Sequence, residues 1–143
     1  MKKVLMMAAG LLVIGAPMFA HHGDAGRYNE DLVTVNGTVV DMQLVDPHSV
    51  IVFDVEENGK PVRFQAELNG RGGLSKMGWT KNTLKPGDKI TVTGRRVKSG
   101  APYMNLTDRA NIVMAADGKE IFRTENYGTN TPKRPAAQGP PGN

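Results

Sequence analysis

The three histidines of the chain, His21, His22 and His48, are the residues whose positions favour chemistry with a metal. If an export signal is removed after Ala20, His21 begins the mature chain. Its α-amino nitrogen and Nδ1 can then close a six-membered chelate ring on one transition metal. An α-amine loses its proton near neutral pH, so the metal displaces that proton at modest cost. A second imidazole, from His48 or His22, would complete a three-nitrogen set that suits Cu(II), the highest divalent ion in the affinity order.

The first twenty residues have the pattern of a Sec-type signal peptide. Lys2 and Lys3 form a basic start, and residues 4–16 are almost wholly apolar. This apolar run is too short to anchor a chain across a bilayer. We therefore expect a bacterial protein that is periplasmic or secreted, with no membrane insertion after signal cleavage.

Two cleavage positions compete. Ala20 suits the residue before the cut, although Met18, two residues earlier, is larger than is usual there. The alternative lies within residues 23–25, where Gly23 and Ala25 are both small. Cleavage there would remove both N-terminal histidines and with them the chelate. Even if the histidines remain, they can simply begin a flexible arm, and His48 can stabilise its turn by bonding to backbone.

Charge and cysteine content exclude several classes of protein. The 18 basic residues outnumber the 14 acidic ones. Lys2 and Lys3 leave with the signal, however, and Lys133 and Arg134 lie near the C-terminus. Residues 21–131 are therefore neutral, which argues against a nucleic-acid partner. The chain has no cysteine, so packing rather than disulfides must hold the fold. We expect a monomer.

Residues 32–122 carry the alternating pattern of β-strands. In the first strand the apolar positions change face at Val39–Val40, which predicts a β-bulge, and Gly37 suits a strand that bends sharply. Asn58-Gly59 predicts a hairpin turn. Three strands, a short helical link near residues 74–77 and two more strands predict an all-β fold, a five-stranded OB-like barrel with the helix between strands 3 and 4. A β-sandwich is the alternative.

The predicted organisation has four parts. These are a signal peptide at residues 1–20, an N-terminal arm at 21–31, the barrel at 32–122 and a Pro/Gly-rich tail at 123–143. The tail has too few apolar residues to bury a core, so we expect it to be disordered.

Four short motifs resemble a family of short exported bacterial proteins known as a domain of unknown function. They are His21-His22-Gly23, Asp46-Pro47-His48, Gly78-Trp79-Thr80 and Lys85-Pro86-Gly87-Asp88. The resemblance covers roughly residues 21–122. Asp46 stands where that family more often has Asn, and the glycines of residues 70–73 weaken its helix. The resemblance implies export and an OB-like fold, and it brings no established activity.

Other side chains near the histidines have simpler interpretations. Asp46 can orient His48 by accepting a hydrogen bond, or it can cap its own turn. Ser49 adjoins His48, but neighbouring strand residues point to opposite faces, so the two cannot act as nucleophile and base. Mature-chain methionines such as Met77 are expected to fill the core, although a thioether can also assist Cu(I).

A second candidate surface lies on the outer face of strands two and three with the fourth interstrand loop. There an anionic glycan, a peptide or a partner protein could bind, or the residues could form an ordinary polar exterior. The residues concerned are Arg63, Gln65, Arg95, Arg96 and Tyr103, together with Lys98. Trp79 is expected to plug one end of the barrel beside Leu74 and Met77, with a stacking role as the alternative.

The sequence therefore predicts a non-enzymatic binding module with copper as the favoured ligand, held by His21, His48 and His22. The alternative is a metal-free periplasmic module that binds a protein, peptide or glycan. A copper-dependent oxidase is a third class, but no flat substrate-binding surface is evident in the sequence.

Overall fold

The structure, a computed structural model, describes residues 26–129. The predicted signal peptide, His21, His22 and residues 130–143 of the predicted tail lie outside this range. Seven strands and one helix follow one another along the described chain. They are β1 (Tyr28–Gln43), β2 (Val50–Glu57), β3 (Lys60–Glu67), α1 (Arg71–Lys76), β4 (Lys89–Val97), β5 (Tyr103–Asn105), β6 (Asn111–Met114) and β7 (Glu120–Arg123).

The sheet closes on itself as a five-stranded barrel. Its strands follow the order β1-β2-β3-β5-β4, and β4 pairs again with β1. The β3–β5 contact is parallel, and the other barrel pairs are antiparallel. With α1 between β3 and β4, this arrangement confirms the predicted OB-like barrel. β6 continues along the edge of β4 beyond β5, and β7 pairs with β6.

The predicted bulge lets β1 take part in both halves of the barrel. β1 pairs with β4 as far as Thr38 and with β2 from Gly37 to Gln43, and its register with β2 shifts between Val39 and Asp41. At Gly37 a Cβ atom would lie 2.5 Å from the Phe53 ring and 3.0 Å from a backbone carbonyl. Only glycine lets β1 come this close to β2.

Trp79 is part of the hydrophobic core of the barrel. It is buried, its Nε1 donates a hydrogen bond of 2.9 Å to the carbonyl of Ile121, and its ring meets Phe122 edge-on at 6.0 Å. This satisfies the indole N–H in an apolar setting. The Trp79 ring therefore packs on β7, a contact that the sequence did not predict.

Met77 does not fill the core, contrary to the prediction. It caps the C-terminus of α1 and is 48% exposed, whereas Leu74 is the buried residue of that helix. The helix is too short to turn a second residue inward. Met104 is fully buried, and Met42 and Met114 pack against the core as expected. Within residues 26–129 no helix is long and apolar enough to cross a membrane.

Candidate metal centre

His48 lies beside the end of β3 because of the register between β2 and β3. Val50 pairs with Glu67, and the backbone of Ser49 bonds to Asn69 and Leu68 at 3.2 and 2.8 Å. These bonds extend the ladder to the residue just after His48. They bring the imidazole to Glu67, the last residue of β3, and Nδ1 of His48 is hydrogen-bonded to Oε1 of Glu67.

Strand alternation turns Glu67 away from the core. Phe64, Ala66 and Leu68 are fully buried, so the residues between them point outward. The Glu67 side chain is nevertheless only 17% exposed, because its neighbours cover it, whereas the His48 side chain is 53% exposed. A shielded carboxylate thus holds a half-exposed imidazole.

Tyr103 is hydrogen-bonded to the second carboxylate oxygen of Glu67. It begins β5, which runs parallel to β3 with Tyr103 opposite Gln65, and its hydroxyl donates a hydrogen bond to Oε2 of Glu67. Burial, together with this bond to the carboxylate, raises the pKa of the Tyr103 hydroxyl. Tyr103 therefore remains a donor, and Glu67 is fixed from two sides.

The geometry leaves Nε2 of His48 as the ring nitrogen for a further partner. In metalloproteins a ligating histidine commonly donates its other N–H to a carboxylate, which fixes the tautomer and the ring orientation. His48 and Glu67 have this relationship. Within residues 26–129, however, no group of three or more His, Asp or Glu side chains could hold a metal ion. Further protein ligands would have to come from outside that range.

The described chain begins close to this site. The rings of Tyr28 and Tyr103 are stacked with centroids 6.5 Å apart, and the Arg27 guanidinium lies 5.6 Å from each ring. The Arg95 guanidinium also lies over Tyr28, 5.7 Å from the centroid of its ring. We call Arg27, Tyr28, Arg95 and Tyr103 the aromatic cluster. It places the start of β1 on the same outer surface as Glu67.

The sequence patterns did not predict Glu67 as the partner of His48. Asp46, which was a predicted partner, does not bond to His48. Asp46 faces α1 instead, at 3.5 Å from the Arg71 guanidinium and 3.4 Å from the amide of Gly72. The outward position of Glu67 could be read from the alternation in β3. Its contact with His48 depends on the pairing of strands and had no local signal.

The second candidate surface has its charges largely compensated. Arg63 donates two hydrogen bonds, of 2.6 and 3.1 Å, to Asp54, and this pairing lowers the pKa of the Asp54 carboxyl. Arg96 lies 3.0 Å from Glu57 and also bonds to the carbonyls of Gly100 and Ala101.

The remaining members of that surface have different environments. Arg95 lies 3.5 Å from Asp108, and its buried Nε has no hydrogen-bond partner. Gln65 is exposed, and Tyr103 belongs to the His48–Glu67 site. The five residues thus do not form one cationic patch, and only Tyr103 joins the histidine site.

Ser49 has a structural role. It is buried, its hydroxyl donates to the carbonyl of Val45 at 3.1 Å, and it accepts from the amide of Val45 at 3.2 Å. The hydroxyl thereby closes the turn that carries His48. Because the Ser49 hydroxyl is engaged in both of these bonds, it is not positioned as a nucleophile.

Comparison with known proteins places the barrel in a family. The sequence model of a family of unknown function, DUF6152, matches residues 9–104. That range includes His48 and Glu67 and extends through Tyr103, so the whole candidate site falls inside the match. Comparison with curated proteins gave no match. Because the family match spans most of the chain, the protein belongs to DUF6152, a family whose function is unknown.

Proposed function

We propose that the protein is an exported, non-enzymatic module that binds one Cu(II) ion. The α-amine and Nδ1 of His21 form the chelate, and Nε2 of His48 completes the set, with His22 available as a further donor. The observation that carries the proposal is the bond between Nδ1 of His48 and the shielded Glu67 carboxylate.

That bond prepares His48 for a metal in two ways. It holds the proton on Nδ1, so the lone pair is on Nε2, and it limits rotation of the ring. A histidine that only stabilised its turn would bond to nearby backbone. His48 instead bonds to a carboxylate 19 residues away, which in turn is held by Tyr103.

The distance along the chain is compatible with a shared ion. Four residues lie between His21 and Gly26, the first described residue, and the five steps from His21 to Gly26 would reach about 17 Å in a fully extended chain. Gly26 precedes Arg27, which packs on Tyr103, and Tyr103 bonds to Glu67 beside His48. These contacts link the start of the described chain to His48, which supports the proposal.

Copper is favoured by the chemistry of the donors. The proposed set is an amine and two imidazoles, and the chain offers no thiolate for a zinc or iron–sulfur site. Nitrogen ligands of this kind bind Cu(II) more tightly than the other divalent first-row ions. The proposal therefore predicts that Cu(II) displaces Zn(II) and Ni(II) from the protein.

The test combines the mass of the exported protein with a copper titration. The mass should correspond to a chain that begins at His21. That protein should bind one Cu(II), and affinity should fall by at least about tenfold in His48→Ala. Protein with one additional residue before His21 is the matched control, since it keeps every side chain but moves the amine. Equal affinity in all three proteins would contradict the proposal.

If copper binding is weak and is the same in wild type and His48→Ala, the alternative function is supported. That alternative is a metal-free module that binds a protein, peptide or glycan. The pairing of Arg63 with Asp54 and of Arg96 with Glu57 argues against an open anionic-ligand surface. For that reason we prefer copper binding as the function.

A further inference from the structure

Acidic and basic residues are distributed unevenly along the barrel sequence. Residues 26–67 contain eight acidic and three basic residues, whereas residues 68–107 contain eight basic residues and a single acidic one, Asp88. The Asp88 carboxylate accepts a hydrogen bond of 2.9 Å from the amide of Lys85, so it closes a turn. The connection from α1 to β4 therefore carries a local excess of positive charge, although the barrel as a whole is close to neutral.

Arginines and lysines have different environments in the described part of the chain. Every arginine from Arg63 onward lies within ion-pair distance of a carboxylate. No lysine of residues 26–129 has such a partner within that range. Three of these lysines, Lys76, Lys81 and Lys85, lie in or just before the connection between α1 and β4, and all three are exposed. Their charges are therefore available to a partner outside the barrel.

Buried residues hold this connection against the barrel. Trp79 and Leu84, which are 4% and 2% exposed, both belong to the core. Between them the amide of Thr80 donates a hydrogen bond of 2.8 Å to Oγ1 of Thr83, which closes a turn that contains the exposed Lys81. The lysines therefore belong to an ordered segment of backbone that packs on the core.

Met77 adds an apolar side chain to this segment. It is 48% exposed, the largest exposed fraction among the large apolar residues of the described chain, and it directly follows Lys76 at the C-terminus of α1. We call Lys76, Met77, Lys81 and Lys85 the lysine segment. Basic side chains together with an exposed apolar residue are typical of proteins that bind the surface of an anionic membrane.

We propose that the lysine segment is a peripheral docking site for a membrane surface that contains anionic lipids. An ammonium group is a compact point charge on a flexible stem, so lysines suit a layer of headgroup phosphates that has no fixed geometry. A defined acidic protein would favour guanidinium groups, which bind carboxylates through two parallel hydrogen bonds. The inference goes beyond copper binding and does not depend on it.

Co-sedimentation of the exported protein with lipid vesicles tests this docking site. Wild type should bind vesicles of equal parts phosphatidylglycerol and phosphatidylcholine, and it should not bind vesicles of phosphatidylcholine alone. Binding should weaken as the salt concentration rises. In the double variant Lys81→Gln/Lys85→Gln the partition coefficient should fall by about 25-fold, because each lysine near such a surface contributes about fivefold. Absence of binding by wild type would overturn the inference.

The double variant Lys60→Gln/Lys98→Gln is the matched control. It removes the same net charge from two exposed lysines that lie outside the lysine segment. The partition coefficient should change by less than about twofold. An equal loss in the two double variants would overturn the docking site, because net charge alone would then explain the binding.

Further measurements identify the kind of partner. Met77→Gln, which leaves the charge unchanged, should weaken vesicle binding by about threefold, because the thioether leaves water at the headgroup layer. Binding to soluble polyglutamate without binding to the anionic vesicles would overturn the inference in favour of an acidic protein partner. His48→Ala should bind the vesicles as wild type does, so a failure of the copper proposal leaves this inference standing.

Discussion

Glu67 holds His48 by its Nδ1 atom, and the carboxylate that does so is itself shielded from solvent. This contact joins the turn before β2 to the last residue of β3. It exists because the register of the two strands brings the turn alongside the strand end. The relationship gives the barrel an oriented imidazole on its surface.

Replacing Glu67 by Gln should weaken Cu(II) binding by about 10- to 100-fold. The amide no longer attracts the Nδ1 proton as a carboxylate does, so the ring loses its fixed tautomer and orientation. Competition with a chromophoric chelator measures the affinity. Glu56→Gln is the matched control, since Glu56 is an exposed carboxylate on β2, and it should bind as wild type does. Equal loss in both variants would indicate a general effect of charge.

Stability at alkaline pH should depend on Tyr103. Its pKa is raised in the folded protein by burial and by the Glu67 carboxylate, while the unfolded chain has an ordinary tyrosine with a pKa of about 10. Below that pH both states keep the proton and the stabilisation is complete. Above it the unfolded state ionises first, so the free energy of unfolding falls as pH rises.

Urea unfolding of wild type and Tyr103→Phe between pH 8 and 11 measures this dependence. The difference in slope against pH should approach one proton above pH 10, because Phe cannot ionise. Arg27, whose charge opposes the rise, and the neighbouring Tyr28 are present in both proteins. Parallel curves for the two proteins would show that Tyr103 ionises equally in both states.

Gly37→Ala should destabilise the barrel by about 1–3 kcal/mol. The new Cβ would meet the Phe53 ring at 2.5 Å and a carbonyl at 3.0 Å, so β1 and β2 would have to separate. Chemical denaturation measures the loss. Gly72→Ala is the control, since its Cβ meets nothing within 4 Å and the residue lies in α1. It should stabilise the protein by about 0.5–1 kcal/mol.

Local patterns predicted the barrel well. The change of face at Val39–Val40 and the Asn58-Gly59 turn each depend on adjacent residues, and both appear where expected. The candidate site was predicted only as far as His48. Glu67 and Tyr103 join it through the β2–β3 register and the parallel β3–β5 pair, which no single segment encodes. The prediction that Met77 fills the core was wrong, because a helix as short as α1 buries only one residue, Leu74.

Pulsed electron paramagnetic resonance of the exported protein with one equivalent of Cu(II) tests the central claim most directly. The remote nitrogens of coordinated imidazoles give characteristic modulations. Wild type should show two imidazoles, one from His21 and one from His48, and His48→Ala should show one fewer. An identical spectrum from the two proteins would contradict the proposed site, because His48 would then not bind the ion.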